Sequence, residues 1–412
     1  MTMVMFLVAA TAVATAANTA AAAARQPPSF SWNTLPVAFH SCTSAAPLSP
    51  AQAFQLARFS MVTIEKYEDI AAVAPRSTLA PPYADPGGLY ACQNGSDLSR
   101  CGCCAEDEIV RAARAIKAVD PTVVTIAYLN TQIVYPWYRA ARAVATHPSW
   151  WLSGNKHDGP KGSTWHTVDL TVPEAAAAWQ RTATNLTTTG AIDGVFADGC
   201  MRRESGPGLT PARVAALYAA KHDMLRGLQA ALPGPIVCGS NGEFLPGVDA
   251  VQAEGWGVAD GDVESGKTHF ATLEIPLLMK AAAAGVIFQA HGRAVCGQAG
   301  EHPPCCDAPP CNCTTPPPDY RDAAVQTELA AFLVAAGTNS YYLCGSWEDT
   351  LGNDPSSAWM PVYDLPLGEP QGRATLGDDG VWRRSFASGT NVTFDTKAEK
   401  GSVQWAAAAA GS

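Results

Sequence analysis

Short apolar segments alternate with longer amphipathic segments along most of this chain. Eight short segments are bounded by Gly, Pro or polar residues and have the length and composition of buried β-strands. They are Pro36–His40, Met61–Lys66, Val123–Asn130, Ile192–Asp198, Pro235–Asn241, Val248–Glu254, Gly285–His291 and Thr338–Cys344. The longer segments carry apolar residues at helical spacing and predict five helices between the strands. These are Glu106–Val119, a helix from a capping box at Thr171–Glu174 to Thr189, a helix beginning at Thr210–Pro211, Ala271–Ala284 and Asp322–Ala336.

This alternation predicts an α/β fold, a (β/α)8 TIM-type barrel of parallel strands. Only Gly242–Gly247 separates the fifth strand from the sixth. A parallel crossover usually needs about a dozen residues, so either the fifth helix is vestigial or one strand is misplaced. The alternative is an open, doubly wound sheet, which would place a glycine-rich phosphate-binding turn after the first strand. Residues 39–44 contain no glycine, so we favour the barrel.

The pattern changes beyond the eighth strand. Val381–Phe386, Asn391–Asp395 and Ser402–Trp405 have the character of three short strands joined by glycine-bearing turns, and they predict a small C-terminal antiparallel β appendage. We therefore predict three parts in the chain. A signal peptide occupies residues 1–24, the barrel occupies 25–350 with cysteine-rich insertions at 85–105 and 296–318, and the appendage with a frayed tail occupies 351–412.

The amino-terminal segment predicts export. Residues Met3–Ala24 are apolar and rich in alanine, and they end in small residues before Arg25, which is the layout of a secretory signal peptide. The alternative is an uncleaved signal anchor. Ala and Thr partition weakly into membranes, which favours cleavage. We expect a secreted or cell-surface protein with no stable membrane span.

Cysteine usage fits that compartment. The chain has 13 cysteines, and nine of them fall in the two insertions, among Gly, Pro, Asn and Asp residues. In an exported protein such loops are typical disulfide-stapled insertions; the alternative, a zinc knuckle, lacks paired ligand spacing. The disulfide candidates are Cys92, Cys101, Cys103, Cys104, Cys296, Cys305, Cys306, Cys311 and Cys313. Because the total is odd, at least one thiol is left unpaired. The candidates are the cysteines that stand alone in the sequence, Cys42, Cys200, Cys238 and Cys344.

Four Asn-x-Ser/Thr sequons also suit a secretory route and predict N-glycosylation. They begin at Asn94, Asn185, Asn312 and Asn391. The formal net charge is −10, and only 16% of the residues are charged. A chain of this charge offers no basic stripe for phosphates, which argues against a nucleic acid or an anionic membrane as partner. A neutral or cationic ligand is easier to bind.

Polar side chains close most of the predicted strands. In a barrel, reactive groups lie at the carboxyl ends of the strands, so these side chains are expected to share one mouth. They are Glu65, Lys66, Asn130, Asp198, Asn241, Glu254, Gln289 and His291. Amides and acids bind sugar hydroxyls, and a carboxylate pair can supply acid with nucleophile or base, as in glycosidases. Tryptophans in the loops, Trp137 and Trp256 among them, are expected to stack on sugar faces.

Asp198 and Glu254 are the predicted catalytic pair, because each ends an otherwise apolar strand where an acid is costly to bury. The other strand-end residues, with Trp137 and Trp256, are predicted to bind substrate. Asp193 lies on the opposite face of its strand from Asp198, so we assign it no catalytic role. His40 stands alone without the His-x-His of metal-dependent barrels, and we expect neither metal nor cofactor.

Several motifs resemble a known superfamily. Residues 191–199 read AIDGVFADG, residues 147–152 HPSWWL, residues 168–174 VDLTVPE and residues 248–256 VDAVQAEGW. In their order along the chain they are similar to stretches of uncharacterised hydrolase-like families related to the α-galactosidase and endo-α-polygalactosaminidase superfamily of TIM-barrel glycoside hydrolases. The resemblance implies acids on strands four and six, with Asp198 in the position of the usual nucleophile.

The expected function is therefore hydrolysis of O-glycosidic bonds in a neutral or amino-sugar oligo- or polysaccharide. Asp198 would act as nucleophile and Glu254 as general acid/base in a retaining mechanism. Two alternatives stay open: a non-catalytic carbohydrate-binding barrel at the cell surface, since fold does not imply activity, and a different acid/base enzyme such as a lyase.

Overall fold

The computed structural model describes residues 27–41, 47–66, 105–135, 138–158, 164–204, 206, 208–239, 247–257, 268–292, 321–344 and 359–406. Several predictions lie outside these residues. They concern the signal peptide, the nine clustered cysteines, Trp137, Asn241, and the sequons at Asn94 and Asn312.

Eight parallel strands form the central sheet, as predicted. In spatial order they are β1 (Phe39–Ser41), β2 (Met61–Ile64), β3 (Val124–Asn130), β6 (Gly194–Asp198), β7 (Ile236–Gly239), β8 (Ala250–Trp256), β9 (Ile287–Gly292) and β10 (Ser340–Cys344). A parallel bridge between Val37 and Tyr342 brings the chain before β1 against the last strand. The strands thus close into a (β/α)8 barrel, and the open-sheet alternative is excluded.

Helices connect most of these strands. They are α1 (Pro50–Leu56), α2 (Ala105–Val119), α3 (Ala140–Ala145), α4 (Pro173–Thr187), α5 (Pro211–Gln229), α6 (Ile275–Ala284, preceded by a π-turn at Phe270–Glu274) and α7 (Ala323–Ala335). Helix α5 begins as predicted, since the Thr210 side chain accepts the backbone N–H of Arg213 at 3.2 Å. The predicted capping box of α4 is wrong. Its N-cap is Val172, because the Thr171 hydroxyl donates instead to Asp169 at 2.6 Å.

The short fifth crossover is a real feature of the barrel. Strands β7 and β8 are parallel neighbours in register, with Val237 beside Ala250. Only residues 240–249 connect them. No strand is misplaced, so the unusual length belongs to the connection itself.

An antiparallel hairpin that the sequence did not predict interrupts the barrel between β3 and β6. It pairs β4 (Trp151–Asp158) with β5 (Thr164–Val168). Its strands lack the continuous apolar character of buried strands, so the hydrophobic pattern gives no signal for them. The segment resembling HPSWW leads into this hairpin, and the VDLTVPE segment leaves it for α4.

The C-terminal appendage is an antiparallel sheet of β11 (Thr375–Leu376), β12 (Val381–Ser385), β13 (Asn391–Asp395) and β14 (Lys400–Gln404). Three of its strands were predicted; β11 has only two residues. The sheet is attached to the outer helices of the barrel. Arg384 donates to the carbonyl of Leu333 at 2.8 Å near the end of α7, and Glu399 accepts the backbone N–H of Phe270 at 2.8 Å. None of the helices in the described parts of the chain is long and apolar enough to cross a bilayer.

Candidate active site

The carboxyl ends of β2, β3, β6 and β8 carry four partly exposed polar side chains, which we call the mouth residues: Lys66, Asn130, Asp198 and Glu254. Parallel register sets their levels. Asn130 pairs with Asp198 across β3 and β6, and Glu254 pairs with His291 across β8 and β9. Laterally paired residues share a face, so Asn130 and Asp198 present their side chains to one rim. Lys66 reaches the same region, since its ammonium lies over the ring of Tyr128. Asn241, the fifth strand-end residue predicted here, is not described.

Asp198 is held through one of its two carboxylate oxygens. Oδ2 accepts the hydroxyl of Tyr128 and the amide N–H of Asn130, the latter at 2.8 Å. Burial, and then the charge of Asp198, raise the pKa of Tyr128 well above its usual range. The phenol therefore stays protonated and acts as a donor. Within the described residues no hydrogen bond reaches Oδ1, which leaves that oxygen available to a ligand.

The backbone around Asp198 is anchored independently of its side chain. Its carbonyl accepts both the N–H and the hydroxyl of Thr131, at 2.9 and 2.8 Å. The next carbonyl, of Gly199, accepts the ammonium of Lys221 at 3.0 Å. Lys221 is fully buried on α5 and also binds Glu204 at 2.8 Å. The buried ammonium of Lys221 thus holds the segment that follows β6 against α5.

A disulfide joins Cys200 to Cys238, two positions that the sequence left as isolated cysteines. It links the segment after β6 to β7, one residue before Gly239. Neither cysteine is among the predicted disulfide candidates, so this bond is one that the sequence did not predict. Spacing along the chain could not reveal this pairing, because 38 residues separate the two sulfurs in sequence.

Glu254 leans over the end of β7. Its Oε1 lies 2.8 Å from the point where a β-carbon on Gly239 would stand. Strand β7 lies between β6, which carries Asp198, and β8, which carries Glu254. The two predicted catalytic acids therefore flank a strand end that carries no side chain.

A buried ion-pair network lies beneath the mouth residues. Glu65 accepts from His40 Nε2 at 2.9 Å and from Lys66 Nζ at 2.8 Å. Burial opposes ionisation of Glu65, but Lys66 and His40 outweigh it and lower its pKa to about 2. The same Lys66 ammonium lies 4.3 Å from the centre of the Tyr128 ring. Glu65 is thus connected to Asp198 through Lys66 and Tyr128.

The remaining predicted substrate-binding residues lie below the mouth or outside it. His291 is 3% exposed; its ring lies 6.1 Å from the His40 ring, and its Nδ1 is 3.0 Å from Gln252 Nε2. Glu65 and Gln289 are also buried. These three side chains are therefore buried in the barrel and are not part of the partly exposed set of mouth residues.

Trp256 is a correction. The prediction placed its ring at the mouth, yet it is fully buried and its indole N–H donates to the Glu328 carbonyl of α7 at 3.3 Å. It also packs edge-to-face on Phe270 and Phe288. Since Glu254 points to the mouth, the residue two positions later would share its face, but the register shifts between Glu254 and Trp256. That irregularity turns the ring outward.

Three contributors to the site were missed by sequence reasoning. Tyr128 could have been found, because it lies two positions before Asn130 and therefore on the same strand face. Lys221 gave no signal, since a lysine on a helix is usually exposed. Gly239 also gave none, because its role depends on what lies beside it in space.

Of the predicted glycosylation sites, Asn185 on α4 and Asn391 on β13 are exposed and stay predictions.

No set of three or more His, Cys, Asp or Glu side chains in the described ranges is arranged to hold a metal ion. A cavity of about 370 Å³ lies beside the site, lined by residues of α2, α4 and the segment after β3. Asn130 and Tyr135 contribute to its wall, but Asp198 and Glu254 do not. The catalytic assignment therefore depends on the strand ends and not on this cavity.

A parallel barrel with acids closing its fourth and sixth strands is the arrangement expected of a TIM-barrel glycoside hydrolase. The chain belongs to the family described as hypothetical glycosyl hydrolase family 15, which it matches over residues 117–390. The match begins within α2 and includes β3 through β12, and with them Asp198 and Glu254. The resemblance of the sequence motifs to TIM-barrel glycoside hydrolases is thereby confirmed, as is the assignment as a glycoside hydrolase.

Among curated proteins, none matches the sequence. Solved structures do show similarity. The glycoside hydrolase domain of PelA from Pseudomonas aeruginosa is 15% identical, with 77% of this chain and 97% of that chain covered and a TM-score of 0.42. The α-N-acetylgalactosaminidase NagBb from Bifidobacterium bifidum is 13% identical, with 91% of this chain and 58% of that chain covered and a TM-score of 0.47. The α-galactosidase TtGalA from Thermus thermophilus is 12% identical, with 90% of this chain and 68% of that chain covered and a TM-score of 0.46.

Proposed function

We propose that this protein is a secreted, retaining glycoside hydrolase with Asp198 as nucleophile and Glu254 as general acid/base. The observation that carries the proposal is the asymmetric environment of the Asp198 carboxylate. Tyr128 and Asn130 both donate hydrogen bonds to Oδ2, and no described residue donates one to Oδ1. A carboxylate oriented through one oxygen, with the other directed to the ligand, is suited to nucleophilic attack.

The reaction would proceed in two displacements. Asp198 Oδ1 forms a bond to the anomeric carbon while the bond from that carbon to the leaving-group oxygen breaks, and Glu254 gives its proton to that oxygen. Glu254 then removes a proton from water, whose oxygen bonds to the anomeric carbon and releases Asp198. Tyr128 and Asn130 keep Oδ2 oriented throughout, which is the positioning that such catalysis requires.

The charges at the mouth favour a neutral or amino sugar as substrate. Two of the mouth residues, Asp198 and Glu254, are acids. Lys66 is a cation, but its ammonium is paired with Glu65 at 2.8 Å. Among the four mouth residues an anionic sugar would therefore meet two carboxylates and one cation that is already paired, whereas hydroxyls and an amino or acetamido group can accept or donate hydrogen bonds there.

A rescue experiment tests the nucleophile. The purified protein is first screened on aryl glycosides and polysaccharides to find a hydrolysed substrate. Asp198→Ala should abolish turnover, and azide should restore it by forming a glycosyl azide of inverted configuration, detected by NMR. Asp378→Ala, at an exposed position of the C-terminal appendage, is the control and should hydrolyse the substrate at the wild-type rate without azide. Failure of azide rescue, or a product of inverted configuration from the wild type, would refute the retaining assignment. Binding without any turnover would favour the non-catalytic alternative.

A further inference from the structure

We infer that Gly239 is a positioning residue for the general acid, because its missing side chain creates the space that Glu254 occupies. This inference rests on the proposed function of Glu254. It extends that function by identifying what allows acids on two non-adjacent strands to work on one substrate.

Strand register places Gly239 between the two acids. Ala197 of β6 pairs with Cys238 of β7, so the next position on each strand, Asp198 and Gly239, lies at one level. On its other side Gly239 pairs with Gln252 of β8. Glu254 lies two positions beyond Gln252 and therefore on the same face. A side chain at position 239 would stand between Asp198 and Glu254.

The space at position 239 is already filled by neighbours. An added β-carbon would lie 2.7 Å from Phe196 Cζ and 2.8 Å from Glu254 Oε1. Backbone geometry does not explain the glycine, since Gly239 is absent from the glycines with positive φ in this part of the chain. An L-residue could adopt this backbone. What the position excludes is the side chain itself.

Both contacts are shorter than 3.0 Å, so both neighbours must give way, and the Glu254 carboxyl has the greater freedom to do so. Phe196 is 1% exposed, and its ring packs against His40 at 5.2 Å and Tyr128 at 5.7 Å between ring centres. The strand end itself is tied down by the disulfide at Cys238. Glu254 is partly exposed and has rotatable bonds. A methyl group at position 239 should therefore displace the Glu254 carboxyl.

Displacing a general acid has a specific kinetic signature. A leaving group of high pKa needs the proton from Glu254, whereas an activated aryl group such as 2,4-dinitrophenolate departs without it. In Gly239→Ala, kcat/KM for an unactivated glycoside should fall by about tenfold or more, within the range of effects of general acids. For the dinitrophenyl glycoside, the glycosylation rate measured in the burst should change less than about threefold. The alkaline limb of the pH profile should also move or flatten.

Two variants complete the experiment. Gly372→Ala is the matched control, because an added β-carbon there meets nothing within 4 Å, and it should behave as wild type on both substrates. Gly239→Ala/Phe196→Leu removes the ring contact and tests the same displacement if the single variant folds poorly, as judged by circular dichroism and melting temperature.

Equal losses on both substrates, or no loss on either, would overturn the inference. Misfolding of both position-239 variants would also overturn it, because the glycine would then serve the fold. Failure of the proposed function is distinguishable: in that case Asp198→Ala would retain activity or the wild type would hydrolyse neither glycoside.

Discussion

Two buried glutamates give the sharpest test of the electrostatics, because the same substitution should change stability in opposite directions. Glu65 is 1% exposed and lies between His40 and Lys66. Glu274 is 3% exposed in the π-turn before α6, and its Oε2 has no partner among the described residues. We predict that Glu65→Gln destabilises the protein at pH 8 and that Glu274→Gln stabilises it.

The signs follow from the two pKa values. Burial opposes ionisation of Glu65, yet the positive charge of Lys66 and the hydrogen bond from His40 lower its pKa from 4.5 to about 2. Its ionised form therefore contributes stability that is present above pH 4.5 and is lost as the pH falls through 2. For Glu274, burial alone raises the pKa from 4.5 to about 7. Its protonated form contributes stability that is present below pH 4.5 and is lost as the pH rises through 7.

The pKa of each group in the folded protein differs from its ordinary value of 4.5 by about 2.5, being about 2 for Glu65 and about 7 for Glu274. At about 1.4 kcal/mol per unit, each corresponds to about 3 kcal/mol. Gln resembles the protonated acid in shape and lacks its charge. At pH 8, Glu65→Gln should therefore lose about 3 kcal/mol of unfolding free energy, and Glu274→Gln should gain about 3 kcal/mol. At pH 4.5 most of the Glu65→Gln loss should persist, whereas the Glu274→Gln gain should shrink to about 0.5 kcal/mol or less.

Urea denaturation of both variants at pH 4.5 and pH 8 measures these differences. Glu369→Gln, at an exposed position, is the control and should stay within about 0.5 kcal/mol of wild type. A gain for Glu274→Gln that is the same at both pH values would mean that its effect is one of packing. If Glu65→Gln left the unfolding free energy unchanged or raised it, the interactions of the Glu65 carboxylate with Lys66 and His40 would not stabilise the fold.

Two further substitutions test the support of the nucleophile. Tyr128→Phe removes a donor to the Asp198 carboxylate, and because a hydrogen bond to a charged group contributes about 1.5–3 kcal/mol, kcat/KM should fall about 10- to 150-fold in steady-state assays with the fold intact. An unchanged kcat/KM would contradict the role of this phenol. Lys221→Met leaves Glu204 buried without its cation and releases the Gly199 carbonyl, so we expect a loss of about 3–5 kcal/mol in urea denaturation together with a lower kcat. Full activity in a stable Lys221→Met protein would show that the segment after β6 needs no such anchor.

The sequence predicted the barrel well because strand ends and periodicity are local signals. The boundaries of β3 and of α2 differ from prediction by a single residue, since Pro121 and the apolar run that follows it mark them plainly. Relations across the barrel were not predictable. The Cys200–Cys238 disulfide and the position of Glu254 beside Gly239 both involve residues from different strands. The pattern of residues within one strand carries no information about them.

The repeated arrangement of acids on the fourth and sixth strands explains why only one acid of each motif is a catalytic candidate. Asp193 precedes Asp198 by five positions, and Asp249 precedes Glu254 by five. An odd separation places the two members of each motif on opposite faces of a strand.

The first acid of each motif braces the neighbouring strand. Asp193 accepts the backbone N–H of Thr125 in β3 at 2.8 Å, and Asp249 accepts that of Ile236 in β7 at 2.9 Å. Each brace aligns the amino end of the preceding barrel strand, and Asp193 also pairs with Lys117 of α2 at 2.8 Å. Because a strand pair has one register along its whole length, fixing it at the amino end also fixes the carboxyl end. At that end Asp198 pairs with Asn130, and Glu254 lies beside Gly239. The spacing of five thus couples a structural acid to a reactive one, and replacing a brace should disturb catalysis only through strand register.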